Sequence, residues 1–357
     1  MTARKPWIVV VGGFLGAGKT TLILAAARLL EKRGLRCAVI LNDQGGELVD
    51  TRHAVEQGIA AREVTGGCFC CRFSDLAAAI DDLRATRPNQ ASPDVIFAEP
   101  VGSCTDIAAT VLAPLLEDFD SCRLAPFTVL VDPARAAALA AGDADLSFLF
   151  DKQLQEADLL CLTKADLFPG VLPAADLPPT ARVLRLSAKT GEGVAAWLDE
   201  ILGGVLPAGA TTLDIDYARY AEAEAALAWL NLSFVYQPSA PVSPALAIGP
   251  WMDALDRALT AQAIDLVHLK VFDRCAAGWL KAALCANGGG PTVEGMLDAS
   301  PAARHEVLVN LRAKGSPEAV RAIVEEQLRQ LSGETLDLRM NCFSPAPPKP
   351  ERRIPGF

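Results

Sequence analysis

Histidine is scarce in this chain, and positive charge is outnumbered by negative. Three histidines among 357 residues leave no histidine-rich tract. Lysine and arginine number 33 against 43 aspartates and glutamates, a formal net charge of −10 with pI near 4.9. That balance lacks the basic stripe of a nucleic-acid binder, so no nucleic-acid partner is expected. No apolar run reaches the roughly 20 residues that a membrane helix needs, so no membrane partner is expected either. The opening, MTARKPWIVVVGG, passes straight into a strand and a glycine loop, with no small-residue cleavage site. It therefore predicts no secretory signal, a cytoplasmic location and reduced thiols for the ten cysteines. Nor is any internal repeat visible.

The length leaves room for two domains. Six nearly continuous apolar runs, WIVVVG, RCAVILN, DVIFAE, PFTVLVD, DLLCLTK and ARVLRLS, alternate with helical stretches such as TTLILAAARLLEKRG. Strands of that kind are covered on both faces. The alternation predicts an α/β fold, a doubly wound and mostly parallel P-loop NTPase sheet over residues 1–205. Such sheets bind ligands at the carboxyl ends of their strands. The pattern stops at GGVLPAGATT, and residues 206–224 read as a linker. A second unit over 225–343 reads as a small α+β domain, with a ferredoxin-like sheet and one extra strand. It carries no catalytic constellation; His268 and His305 lie in predicted strands and read as core or sheet-face residues. Residues 344–357, Pro-rich and basic, read as an extended tail.

After the first strand comes GFLGAGKT, Gly13 to Thr20, the G-x-x-x-x-G-K-[ST] pattern in its strand–loop–helix setting. Backbone amides of Gly13, Gly16, Ala17 and Gly18 can turn inward onto phosphate oxygens at a helix N-terminus. Lys19 would reach the β- and γ-phosphates, and the Thr20 hydroxyl would ligate Mg²⁺. Further on, Thr163, Lys164 and Asp166 (TKAD) follow one strand, and Ser187, Ala188 and Lys189 (SAK) follow another. This pair resembles the guanine-reading NKxD and SAK elements of P-loop GTPases, with threonine in place of the usual asparagine. An Asp166 carboxylate accepts from guanine N1–H and its 2-amino group, which adenine does not offer, and the Lys164 stem can lie over the base. GTP is therefore the expected nucleotide. Glu99, at the end of DVIFAE, and Gly102 stand where GTPases usually have D-x-x-G, the acid serving Mg²⁺ and the glycine amide the γ-phosphate. Asn42-Asp43 ends the second strand, and the polar segment QGGELVDTRH that follows reads as a loop suited to ordering on the γ-phosphate. Asp43 can orient the attacking water, contact a metal or cap that segment.

GGCFCC places Cys68, Cys70 and Cys71 within four residues. Three thiols this close can hold one transition metal, act as a redox pair, or pack as small hydrophobes. A metal there would leave the fourth position open, and Asp43, Glu47, His53 and Cys104 are the candidates to fill it. Taken in order, GGFLGAGKTT (ending in Thr20-Thr21), Asn42-Asp43, GGCFCC, Glu99 with Gly102, and TKADL resemble the CobW-type GTPases. That resemblance implies a GTPase that turns GTP into GDP and phosphate. It also implies that Cys68, Cys70 and Cys71 bind Zn²⁺ or a related divalent ion such as cobalt. Nucleotide state would control handover of that ion to a client metalloprotein. It implies as well a small α+β C-terminal domain serving in partner recognition. Two features depart from the family: EPVGSCTD stands where E-x-T-G is usually followed by a small residue, Asp and Pro, and no histidine-rich run is present. Three other readings compete: a chaperone for a cobalamin-dependent enzyme or cobalamin biosynthesis, a P-loop small-molecule kinase, and a redox sensor that keeps a nucleotide.

Overall fold

The computed structural model of the protein describes residues 5–85, 92–170, 177–178 and 182–355. The chain forms two compact units, one of Met1–Gln44, Ala54–Ala223 and Pro347–Phe357, the other of Gly45–His53 and Glu224–Ala346. Among the described residues no helix is long and apolar enough to cross a membrane.

Strands of the first unit are Trp7–Gly13 (β1), Cys37–Asn42 (β2), Ala60–Val64 (β3), Val95–Glu99 (β4), Arg123–Leu124 (β5), Thr128–Val131 (β6), Leu159–Leu162 (β7) and Arg182–Arg185 (β8). They pair in the order β3-β2-β4-β1-β6-β7-β8, with β5 beside β1, and every pairing is parallel. Helices Lys19–Lys32 (α1), Val49–Glu56 (α2), Phe73–Arg84 (α3), Ala113–Asp118 (α4), Pro133–Ala140 (α5), Ala144–Gln155 (α6), Val194–Leu202 (α7) and Tyr217–Ala225 (α8) fall between and after these strands. Strands β1, β2, β4, β6 and β7 are buried almost throughout, as double coverage demands. The expected α/β class, doubly wound around a P-loop, is the fold found.

Three features differ from the sequence reading. Strand β3 (AAREV) escapes an apolar-run search because, at the sheet edge, most of its residues are only half-buried. It delivers the chain from Val64 directly into the GGCFCC loop. The segment after Gly102 contains a turn of π-helix, Ala108–Leu112, that no periodicity announced. The QGGELVDTRH segment is not all loop, for its second half begins α2.

The second unit has strands Leu227–Pro238 (β9), Asp265–Cys275 (β10), Gly278–Leu284 (β11), Thr292–Gly295 (β12), His305–Lys314 (β13) and Gly333–Phe343 (β14), with helices Pro244–Ala261 (α9) and Pro317–Arg329 (α10). The sheet is antiparallel in the order β12-β11-β10-β13-β9-β14. Its β9-α9-β10…β13-α10-β14 core is the ferredoxin-like arrangement expected from sequence. It carries two extra strands rather than one, because the four residues of β12, three of them exposed, give no hydrophobic signal. Both helices begin at serine caps, Ser243 and Ser316, followed by proline in the first turn. They bury Trp251, Met252, Leu255, Val320 and Val324 with the sheet. His305 is fully buried, with Nδ1 2.8 Å from Asp273 and Nε2 3.1 Å from the Ala302 carbonyl.

Residues 45–53 fold with this unit. Val49 packs against Phe272 and Leu308, and its N–H donates to Asn310 Oδ1 at 2.9 Å. Gly45 lies so close to Asn231 that a Cβ would fall 1.4 Å from the amide nitrogen. Burial alone would raise the Asp50 carboxyl, but Lys270, bonded to it, and Lys281 at 3.8 Å hold it well below the usual carboxylate range.

Candidate nucleotide and thiol site

At the end of β1 the chain turns through Gly13–Gly18 into α1. Gly18, at the helix cap, has φ 92°, a left-handed conformation that glycine adopts without strain. No side chain caps this helix. Lys19, Thr20 and Glu99 are all buried. Lys19 Nζ donates to the Gly13 carbonyl at 2.8 Å and lies 4.0 Å from Glu99. Thr20 Oγ1 donates to the other Glu99 oxygen at 2.8 Å. The two oxygens expected to hold Mg²⁺ thus already meet, although they lie 79 residues apart. A Cβ on Gly102 would stand 2.8 Å from Leu15 Cδ2 and 3.0 Å from Lys19 Nζ, so only glycine brings that backbone against the phosphate loop. Thr21 follows on α1, half-buried.

Thr163 stands where the guanine-reading pattern usually has asparagine. It is buried after β7, and its hydroxyl donates to the Ala17 carbonyl at 3.0 Å, with Val131 O at 3.3 Å. That bond ties the TKAD loop to the phosphate loop. Lys164, at φ 56°, places Nζ 2.7 Å from Asp132. The Ala165 N–H donates to the Leu186 carbonyl at 3.2 Å, which joins the TKAD loop to the SAK loop. Asp166 and Lys189 are exposed, Ala188 is half-buried, and Ser187 is buried with Oγ accepting from the Thr190 N–H.

Asn42, the last residue of β2, organises the cysteine loop. Its Nδ2 donates to the carbonyls of Val64 and Gly67, and its Oδ1 accepts from the Phe69 N–H, each at 2.8 Å. Asp43 is half-buried, and its N–H donates to Val64 O at 3.1 Å. Inside the loop, the N–H groups of Cys71 and Arg72 both bond the Cys68 carbonyl, which curls the three thiols together. The Cys68 sulfur lies 2.7 Å from that of Cys70 and 3.4 Å from that of Cys71, with 3.7 Å between Cys70 and Cys71. Hydrogen bonding from Cys104, then from Cys70 and Cys71, pulls the Cys68 thiol well below its ordinary range. The same contacts push Cys70 up, Cys104 foremost, and the contact with Cys68 lifts Cys71 to about 11.

Among the described residues, Cys68, Cys70 and Cys104 form a cluster of metal-capable side chains, their sulfurs within 4.8 Å of one another and all buried. Of the other candidates for a fourth ligand, His53 has its ring nitrogens 3.2 Å from Lys281 and 3.4 Å from Glu294 in the second unit. Glu47, also there, is exposed.

The loop that carries Gly102 and Cys104 is held from below and from the side. Gln153 Nε2 donates to the carbonyls of both residues, at 3.0 and 2.8 Å. The Glu156 carboxylate accepts from Thr105 Oγ1 at 3.2 Å and from the Ala108 N–H at 3.1 Å. Burial pushes this carboxyl up to about 8, with a smaller contribution from Asp106. Asp106, at φ 61°, accepts from Tyr217 Oη at 2.6 Å and from Arg353 at 2.7 Å. Arg353 belongs to the tail, which returns to this unit. The tail's Lys349 N–H bonds Cys71 Sγ at 3.1 Å, and its Glu351 N–H bonds the Cys70 carbonyl at 2.9 Å. The Glu351 carboxylate accepts from the N–H and hydroxyl of Ser74 at the start of α3. The tail's last two residues lie outside the described ones. Sequence reasoning missed Gln153, Glu156, Tyr217 and Arg353, because none carries a local motif.

Compared with known proteins, residues 7–189 match the profile of the CobW/HypB/UreG nucleotide-binding domain. The chain is 32% identical over 164 residues to the zinc chaperone YjiA of Escherichia coli K12, across 45% of this chain and 49% of that protein. It is 32% identical over 221 residues to the zinc chaperone CobW of a Sinorhizobium species, across 53% and 60%. It is 30% identical over 215 residues to the urease accessory protein UreG of Metallosphaera sedula, across 54% and 92%. The chain thus spans about half the length of the two zinc chaperones. Among solved structures, HypB from Helicobacter pylori in complex with nickel aligns with 56% of this chain and 87% of its own, at 16% identity and TM-score 0.42.

Proposed function

The chain belongs to the CobW/HypB/UreG family, and from that membership we propose that it binds and hydrolyses GTP and uses the nucleotide to govern delivery of a divalent metal, zinc, to a client metalloprotein. The Gly13–Gly18 amides and Lys19 take the phosphates, and the loops of Thr163–Asp166 and Ser187–Lys189 take guanine. Thr20 and Glu99 fit Mg²⁺, since a hydroxyl and a carboxylate oxygen converge there, and Mg²⁺ would supply charge neutralisation of the phosphates. Asp43, at the mouth of the same sheet edge, serves either to orient the attacking water or to contact a metal. The cargo rests on the thiols, which give up their protons on binding a metal.

One observation carries this reading: Asn42 ties the cysteine loop to the carboxyl edge of the sheet that holds the phosphate loop. Because the loop hangs from the strand that ends in Asn42-Asp43, rearrangement at Asp43 on nucleotide binding reaches the thiols through one side chain. The names of the E. coli and Sinorhizobium relatives support zinc as the cargo. The test is linkage. Zinc should change GTP affinity, and GTP should change zinc affinity by the same factor. A coupling of about 1.4 kcal/mol gives a tenfold effect. Cys68, Cys70 and Cys71 replaced together by Ser should remove zinc binding and coupling while GTP still binds. Independent affinities, or tight zinc retained by the triple variant, overturn the reading. Asp166→Ala should bring ATP and GTP affinities together, and equal affinities in the unaltered protein would overturn the choice of guanine.

A further inference from the structure

The loop after β4 brings Cys104 to the cysteine loop. Between Glu99 and Asp106 this loop passes Gly102, whose backbone abuts Lys19, and two residues later turns Cys104 inward. The Cys104 N–H bonds the Val101 carbonyl at 3.0 Å, and Gln153 fixes both the Gly102 and Cys104 carbonyls. The side-chain direction at Cys104 is therefore set by a buried framework. Its sulfur lies within 4.8 Å of those of Cys68 and Cys70, although it comes from a different strand end.

We propose that Cys104 is a metal ligand, so that the ion is held by the buried sulfurs of Cys68, Cys70 and Cys104 with the half-buried Cys71 as the fourth. Zn–S bonds near 2.3 Å in a tetrahedron set sulfurs about 3.8 Å apart. The 3.4 and 3.7 Å separations involving Cys71 approach that edge, while Cys68 and Cys70, at 2.7 Å, have to part to admit an ion. Cys71 is the outermost of the four, half-buried and reached by the tail through the Lys349 N–H. The consequence is mechanical. With Cys104 as ligand, the ion cross-links the cysteine loop to the loop of Glu99 and Gly102. Displacement of Gly102 by a γ-phosphate then pulls on a metal–sulfur bond directly.

This inference rests on the metal-binding half of the proposed function, and its test separates the two. Zinc K-edge absorption of the full-length protein with one equivalent of Zn²⁺ should count four sulfurs. Co²⁺ in its place should give intense thiolate-to-metal bands. Cys104→Ser and Cys104→Ala should each lower the sulfur count to three and weaken Zn²⁺ binding at least about tenfold in chelator competition. Both should also abolish the effect of Zn²⁺ on affinity for a non-hydrolysable GTP analogue. Three sulfurs in the unaltered protein overturn the inference, as does full Zn²⁺ affinity in either Cys104 variant. A Cys68–Cys70 disulfide that persists in reductant and blocks metal also overturns it. The absorption measurement needs no variant, so misfolding of either one leaves the inference exposed to failure. If the Cys68/Cys70/Cys71 triple variant loses zinc while Cys104 variants keep it, only this inference falls. If the triple variant keeps zinc, the proposed function falls with it.

Discussion

Thr20 and Glu99, or Lys19 and Gly102, show how much of this site is decided by single atoms. Gly102 has no room for a methyl group: its Cβ would strike Leu15 and stand 3.0 Å from Lys19 Nζ. Gly102→Ala should therefore fold, since the clash is with flexible side chains, yet displace the lysine from the phosphate position. We expect GTP affinity or turnover to fall at least tenfold with a melting temperature within a few degrees of the unaltered protein, measured by fluorescent-nucleotide titration and calorimetry. Glu156 makes a second prediction at this scale. Its carboxyl sits near 8 in the folded chain against an ordinary 4.5. The folded state therefore holds the proton more tightly, and the resulting stabilisation is complete below about pH 4.5 and is lost as pH rises through 8. A difference of that size is on the order of 5 kcal/mol. Urea denaturation from pH 5 to 9 should show stability declining toward alkaline pH. Glu156→Gln, lower overall because one acceptor is replaced by a donor, should show a flatter profile.

At the scale of elements, β2 and the cysteine loop behave as one piece. Asn42 contributes three hydrogen bonds, two donated and one accepted, and of the groups they hold only the Val64 carbonyl is also met by the Asp43 N–H. Each is worth about 1 kcal/mol, more where a partner is left buried and unsatisfied. Asn42→Leu should therefore loosen the loop without touching a thiol. Zinc affinity should drop by about ten- to a hundredfold in chelator competition, while Asn42→Asp, which keeps only the accepted bond, should fall short of full binding too. Unchanged zinc affinity in Asn42→Leu would show that the thiols converge without this support. The strand that enters the loop, β3, was hidden in the sequence because edge strands need cover on fewer sides and so carry no continuous apolar run. The bond from the Thr163 hydroxyl to the Ala17 carbonyl is a property of two loops meeting, and no motif encodes it.

On the scale of the whole molecule, chain ends and excursions do what the linear order conceals. The tail supplies Arg353 to Asp106, whose side chain is 1% exposed, and Arg352 to Glu117 and Asp118, which are well exposed. Removing one partner of a buried pair strands a charge, whereas an exposed pair contributes little. Arg353→Ala should cost about 3 kcal/mol in the denaturation of the first unit, and Arg352→Ala less than about 1 kcal/mol. Equal effects would mean that Asp106 finds compensation from Tyr217 alone. The opposite excursion, residues 45–53, leaves β2 and folds into the second unit through Val49, Asp50 and His53. Its polar composition reads as a loop suited to ordering on the γ-phosphate. Val49 and Leu48 are instead buried, and Asp50 is met by two lysines of another sheet.

Sequence by itself determined the alternation of strand and helix, the Gly13–Thr20 loop, the positions of the Thr163–Asp166 and Ser187–Lys189 loops after their strands, and the presence of a three-thiol motif. Each of these is written within a dozen residues, as periodicity or as spacing around a turn, and neighbours in sequence are necessarily neighbours in space. Only the tertiary structure decided which distant residues join them. Cys104 meets Cys68 and Cys70 because β4 lies next to β2 in the sheet and Gln153 aims the following loop. Thr20 meets Glu99 because β1 pairs with β4. Asp106 meets Arg353 across 247 residues because the tail returns to its own unit. Strand order and the route of the tail follow from the burial of whole faces against one another, and the spacing of residues along the chain does not record which faces those are.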